Sequence, residues 1–329
     1  MSKPALYTGA LKTVPQKAAA MSTDTARIER TVASVERIFV LPRSQQDAAR
    51  TWVAEGGEHG PCTLKAAGAV MFVRDGASGI ETFMTYRVKS PMGRLAFPGG
   101  LAIASDIAHH QWIGPSETQW AEKTGGDNPQ LARAAVTTAI REVFEETGLL
   151  LAGTNEVSTV ESLNAHEMMS VRQAISQQEK DFIGYLESRN LKMRTDLLKP
   201  VGHWHSPDFF HKRYDLHYFA AAVPVGQSIN LLEGKGIWGR WISVGEVLSN
   251  TTSTALGDEV GQDDTVGKTL PELVSPGVMC ALEAMNNSSS AIAFLSKKRS
   301  VQVVKPETKM AADGTCYLSV KDAPAKPAR

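Results

Sequence analysis

Asn128 to Gly148, NPQLARAAVTTAIREVFEETG, constrains this chain more than any other stretch. Asn128 can cap a helix with its side-chain oxygen, and Pro129 suits a first turn whose N–H needs no partner. Gly148 supplies a left-handed stop. Between them Leu131, Ala135, Ala139, Ile140, Val143 and Phe144 recur at helical spacing. The pattern predicts one long helix from about Asn128 to Thr147 with an apolar stripe. Such a stripe needs a second layer to cover it. KAAGAVMFVRDG and IETFMTYRV, joined through DGASG, read as the two strands of a hairpin. FPGG at 97–100 reads as a turn that lets backbone approach closely. The expected class is α/β.

The last two turns of the helix carry its chemistry. Residues three and four apart share a helical face, so Glu142, Glu145 and Glu146 lie together. Three like charges repel, and at a C-terminus they also oppose the helix dipole. An acidic solvated face is one reading. A hard divalent cation held by carboxylate oxygens is the other. Arg141, four residues before Glu145, can pair with it.

Elsewhere the chain narrows the choice by exclusion. Its 329 residues suit one main domain with extensions, and 35 basic residues balance 35 acidic ones. No global charge calls for nucleic acid or a membrane surface. Cys62, Cys280 and Cys316 form no CxxC pair, and no apolar run reaches the roughly 20 residues that span a bilayer. A cytoplasmic, reduced protein is the expectation. Residues 1–34 read as a flexible tail, with a helix suggested in TARIERTVASVERIF. Residues 107–128 read as irregular, 165–195 as helical, and PVGHWHSP, RYDLHYFAAAVP and GRWISVGEVL as strands with their connections. LPELVSPGVMCALEAM should end in a helix, and SVQVV with CYLSV reads as a late strand pair.

REVFEETGL resembles the second half of the signature of the Nudix hydrolases, filled by Arg141, Glu142, Val143, Glu145, Glu146, Gly148 and Leu149. Seven residues before Arg141, where that signature has a glutamate, stands Arg133. Further upstream, Gly100 is followed after five residues by Asp106, an acid in the first acidic place. Between Asp106 and Arg141 lie 34 residues where seven are usual, an excess of 27. A box divided in this way resembles the subgroup with an insertion in the box that includes the peroxisomal coenzyme A diphosphatase. The stretch with Trp204, Ser206-Pro207, Arg213 and Asp215 resembles the same group. The resemblance departs in two places. FMTYRVKSPMGRLAFPGG keeps Thr85 and Arg87 of a coenzyme A motif but lacks its Ser, and the position six before Trp241 is Lys235 rather than an acid, with Glu233 two residues away.

The resemblance implies a Nudix α/β/α sandwich with a mixed sheet, spanning 35–290 with the inserted loop at about 107–128 and an extension at 291–329. It implies hydrolysis of a nucleoside diphosphate linked to another moiety, with coenzyme A or acyl-coenzyme A derivatives leading and ADP-ribose, NADH or nucleotide sugars next. A nucleotide-binding module without catalysis is the reading from another class. The implied cofactor is Mg2+ or Mn2+. Metal ligands would be Glu142, Glu145, Glu146 and Gly100; catalytic residues Glu142, Arg141 and Glu145; substrate contacts Arg87, Gly99 and Arg213; Asp106 would be the box acid. The partners are a small-molecule nucleotide, neither nucleic acid nor membrane, with a homodimer possible.

Four histidines, His203, His205, His211 and His217, attract notice, but no cysteine or carboxylate stands beside them at zinc-like spacing. They are expected on strands or loops near a nucleotide. His109 and His110 should be exposed. Trp112 and Trp120 either form a lid over the base or anchor the inserted segment.

Overall fold

The computed structural model describes residues 36–57, 63–88, 90, 93–161, 165–232 and 236–321. The chain enters through β1 (Glu36–Val40) and α1 (Arg43–Ala54). The hairpin β2 (Lys65–Gly76) and β3 (Gly79–Tyr86) follows, then the short strands β4 (Leu95–Ala96) and β5 (Gly99–Leu101). The segment before the long helix holds α2 (Ala104–Ile107), β6 (Trp112–Ile113) and α3 (Glu117–Lys123). The long helix α4 (Pro129–Thr147) leads to β7 (Ala152–Gly153), α5 (Ala165–Ser176), α6 (Phe182–Ser188) and β8 (Lys192–Arg194). Next come β9 (Lys199–His205), β10 (Tyr214–Ala221) and β11 (Gly239–Ser243). The helices α7 (Val244–Ser249), α8 (Ala255–Val260), α9 (Leu270–Leu273), α10 (Pro276–Asn286) and α11 (Ala291–Ser296) precede β12 (Val303–Val304), β13 (Glu307–Met310) and β14 (Cys316–Lys321).

The main sheet runs β11-β3-β2-β10-β9-β12, with β4 on β3 and β5 on β2. The β2–β10 and β9–β12 pairs are parallel and the others antiparallel, so the sheet is mixed. Residues 66–73 of β2 are buried without interruption, as in a strand covered on both faces. Its side chains alternate between two cores. Val70 and Phe72 pack with Val136, Ile140, Val143 and Phe144 of α4, while Met71 and Val73 pack with Val278, Leu282 and Met285 of α10. The architecture is the α/β/α sandwich expected from the sequence.

Gly68 sets how closely α4 lies on the sheet. A Cβ at this position would stand 2.1 Å from the Ala135 carbonyl oxygen and 2.9 Å from the Ala139 Cβ. Only a residue without a side chain admits the helix there. The helix itself follows the sequence reading: the Asn128 side chain accepts from Gln130 and Leu131 N–H, and Gly148 closes it at φ 75°.

Three expectations fail. Glu36–Val40 is a strand, not the end of a helix, because it pairs antiparallel with β14. SVQVV does not pair with CYLSV; Val303 and Val304 join β9, while β14 pairs with β13 and β1. The segment 107–128 is not irregular, since Ser116 and Gln119 form a capping box that starts α3. Residues 1–35, Cys62, Glu233 and Lys235 lie outside the described residues, and with them the tail and the late carboxylate.

Candidate active site

The carboxylates converge where the C-terminal turns of α4 meet the β5 turn. Arg141, 4 % exposed at its side chain, organises them. Its Nη1 donates to Glu145 Oε1 at 2.6 Å and to Glu142 Oε1 at 2.8 Å. Its Nε and Nη2 donate to Asp106 at 2.8–3.2 Å, and Nη2 also to the Leu101 carbonyl at 3.0 Å. Burial works against this charge, yet the hydrogen bonds to Asp106 and the fields of Glu142, Asp106 and Glu145 outweigh it and raise the pKa of Arg141. Asp106 and REVFEE, separated by 34 intervening residues, are therefore in direct contact. Asp106 also accepts from the Thr138 hydroxyl at 2.9 Å and the Ile103 N–H at 3.0 Å. Its oxygens serve Arg141 and the start of α2.

Gly100 faces Glu142. A Cβ there would lie 2.4 Å from the Glu142 carboxyl carbon, so the glycine leaves the cradle that this carboxylate fills. Gly99 is held against β2, where a Cβ would meet the Gly68 carbonyl oxygen at 2.3 Å. Glu146 forms an ion pair with Arg87, which also donates to the Phe97 carbonyl at 2.8 Å. Four carboxylates (Asp106, Glu142, Glu145 and Glu146) thus gather around two guanidiniums, Arg87 and Arg141. That all-oxygen donor set, with the close approach of Glu142 that Gly100 allows, fits a hard divalent cation such as Mg2+ or Mn2+.

Arg172 of α5 was not singled out in the sequence. It is buried and reaches the last carbonyls of α4, donating to Phe144 O at 2.9 Å, to Glu145 O at 2.9 and 3.2 Å, and to Asn230 O at 2.8 Å. Burial alone pushes its pKa down to about 10. It places a cation at the negative helix end, beside the glutamates.

Arg133, at the ordinary box spacing, does something else. It donates to Glu117 at 2.7 Å and to the His110 carbonyl at 3.0 Å, and its guanidinium lies 4.8 Å from the Trp112 ring centroid. His110 is buried against Thr137, contrary to expectation. Trp120 is 1 % exposed, packed edge-on to Phe219 at 5.5 Å. It anchors the segment. Arg213 pairs with Asp208, away from the carboxylates.

A second group could hold a metal ion. His203 and His205 of β9 and Asp215 of β10 bring one donor atom each to within 4.8 Å of one another. The carboxylate that spacing did not reveal comes from the neighbouring strand, where Asp215 is registered opposite His205. Burial holds His205 neutral, with its pKa pushed down to about 4, and depresses that of His217. Asp215 is pulled the other way: burial raises its pKa, but the hydrogen bond with His203 and the nearness of the His217 ring prevail and lower it. His211 lies outside the group.

The structure of a Nudix hydrolase from Alicyclobacillus acidocaldarius superposes with TM-score 0.53 at 20% identity, over 73% of this chain and 99% of the other. The fold is a Nudix fold. The mutator MutT protein from Bacillus halodurans (TM-score 0.33, 12% identity, 78% and 97% covered) and a C. elegans Ap4A hydrolase (0.27, 12%, 60% and 93%) also match, with lower TM-scores. No protein-family model and no curated protein matches the sequence. On the Nudix fold, FPGG and the end of α4 come together around the carboxylates. Among the described residues, no helix is long and apolar enough to cross a membrane.

Proposed function

We propose that this chain is a Nudix-type pyrophosphatase, with Glu142, Glu145, Glu146 and the Gly100 carbonyl as the ligands of Mg2+ or Mn2+. The observation that carries the proposal is the buried Arg141, which gathers Asp106, Glu142 and Glu145 into one constellation next to Gly100. When bound, the cation supplies neutralisation of phosphate oxygens and a lowered pKa for a coordinated water. Arg141 fixes the rotamer of Glu145. In this reading Glu142, the more accessible partner of Arg141, accepts the proton of the attacking water. Water adds to one phosphorus of the anhydride, the bridging P–O bond breaks, and the bridging oxygen leaves on the other phosphate. Arg87 and the Gly99 N–H are the substrate contacts; Arg213 would first have to leave Asp208 to reach a phosphate.

The proposed substrate class rests on the resemblance of the divided box, with Asp106 in its first acidic place: a nucleoside diphosphate linked to a second moiety, with coenzyme A or its acyl derivatives first and ADP-ribose, NADH or nucleotide sugars next. The test is a screen of these compounds with Mg2+ and Mn2+, with products identified by mass. Glu145→Gln and Glu146→Gln should lower turnover by orders of magnitude while leaving the fold intact by circular dichroism. Turnover unaffected by either change would refute the assignment. Nucleotide binding without turnover of any compound would favour a binding module instead.

A further inference from the structure

The sheet face that carries α4 holds two separate groups of donors. Gly100 is registered opposite Gly68, Gly68 opposite His217, and His217 opposite His203. At roughly 4.8 Å per strand, His203 stands about 14 Å from Gly100. One ion with ligand bonds of about 2 Å cannot serve both groups.

The hydrogen bonding of His203 is the telling feature. Its Nδ1 lies 2.9 Å from the Thr124 carbonyl oxygen, which can only accept, so the proton sits on Nδ1. Its Nε2 faces Asp215 Oδ1, a second acceptor, in direct contact. A neutral imidazole has one N–H and cannot donate both ways. Either an imidazolium, which donates from both nitrogens, or a cation shared by Nε2 and the carboxylate resolves the conflict, and the cation leaves the ring in the tautomer that metal-bound histidines adopt when the other nitrogen donates to a backbone carbonyl.

The neighbours point to the same place. His205 Nε2 lies 3.7 Å from Asp215 Oδ1, and His217 Nε2 lies 3.5 Å from it. Donors about 2.0–2.1 Å from a common tetrahedral ion are roughly 3.3 Å apart, so His205 and Asp215 are already near that spacing, and His203 and Asp215, now in direct contact, part to admit the ion. His217 is 2 % exposed, and neither of its ring nitrogens has a hydrogen-bond partner. Its ring stacks on His203 with centroids 3.9 Å apart. A buried imidazole aimed at a shared carboxylate oxygen is costly in an apolar core.

We propose that His203, His205 and Asp215 bind a zinc ion, with His217 packed alongside as its orienting neighbour, in a site distinct from the carboxylates of α4. Imidazole with one carboxylate suits Zn2+ better than Mg2+, which prefers oxygen and keeps its waters. The ion has a structural role. Thr124 caps α3, so the Nδ1–H bond of His203 ties the segment between Asp106 and Arg141 to the sheet next to the bound metal.

The test uses the full chain, stripped with chelator and reloaded with Zn2+ or Co2+. Wild type should retain one equivalent of zinc through gel filtration, and its cobalt form should show the intense visible bands of a four-coordinate site. Two imidazole N–H protons should appear as paramagnetically shifted resonances. The Glu145→Gln variant should bind zinc as wild type does, whereas His205→Gln should lose affinity by at least about tenfold. Should His205→Gln fail to fold, the cobalt resonances of the wild type decide the ligands. Failure of the wild type to retain zinc, absence of shifted imidazole protons, or loss of zinc in Glu145→Gln would each overturn the proposal. None of these outcomes depends on whether the chain hydrolyses a pyrophosphate.

Discussion

The contact between Asp106 and Arg141 is the joint between two segments far apart in sequence, and its removal has a computable cost. Both side chains are nearly inaccessible, at 1 % and 4 %. Breaking a buried ion pair by deleting one partner costs about 3–5 kcal/mol, since the other charge stays buried. Asp106→Ala should fall at the low end, about 3 kcal/mol. Arg141 keeps Glu142 and Glu145 as counter-charges, so its own charge stays paired. Arg141→Met should cost more, at or above about 5 kcal/mol, because it leaves three carboxylates with no central cation. For a domain of this size, the Asp106 change corresponds to roughly 6–12 °C in melting temperature. Urea titration followed by tryptophan fluorescence gives both free energies in one protocol. A cost under about 1 kcal/mol for Asp106→Ala, or a larger cost for Asp106→Ala than for Arg141→Met, would refute the reasoning.

Gly68→Ala should destabilise by more than the usual 1–3 kcal/mol of overpacking, because the added carbon meets the backbone oxygen of Ala135 at 2.1 Å; thermal unfolding reads it. Gly100→Ala meets only the flexible end of Glu142, so stability should change by less than about 1 kcal/mol while Mg2+-dependent turnover falls steeply. Arg172→Met removes donors to three carbonyls and should cost about 3 kcal/mol; a change below about 1 kcal/mol in urea denaturation would contradict its role as the cap of α4.

Much of the fold was legible because its signals are local. The caps of α4, its apolar stripe and the β2–β3 hairpin depend on residues within a few positions of one another, and each appears where the pattern puts it. Elements fixed by distant partners were not legible. Glu36–Val40 has helical spacing when read alone, and only Lys321 to Tyr317 make it a strand. Arg172 carries no motif, since it bonds to backbone carbonyls, which any sequence supplies. The histidines were noticed, but their carboxylate was not. Asp215 lies ten residues beyond His205, and strand pairing rather than spacing brings it opposite.

The segment between Asp106 and Arg141 can now be understood by its attachments. Arg133 holds Glu117 and the His110 carbonyl, Trp120 is sunk against Phe219, and the Thr124 carbonyl takes the Nδ1–H of His203. These contacts lead to α4 and the sheet rather than over the glutamates. A side chain as buried as Trp120 would have to be extracted for the segment to act as a lid, at a cost of several kcal/mol. The segment is therefore a fixed wedge. Its ends are joined by the Asp106–Arg141 pair, so its length does not disturb the carboxylates, and the entropic cost of closing a longer loop grows only slowly. Arg133, which stands at the ordinary box spacing, then acts away from the metal ligands, because its charge secures the wedge to the helix whose other end carries the glutamates.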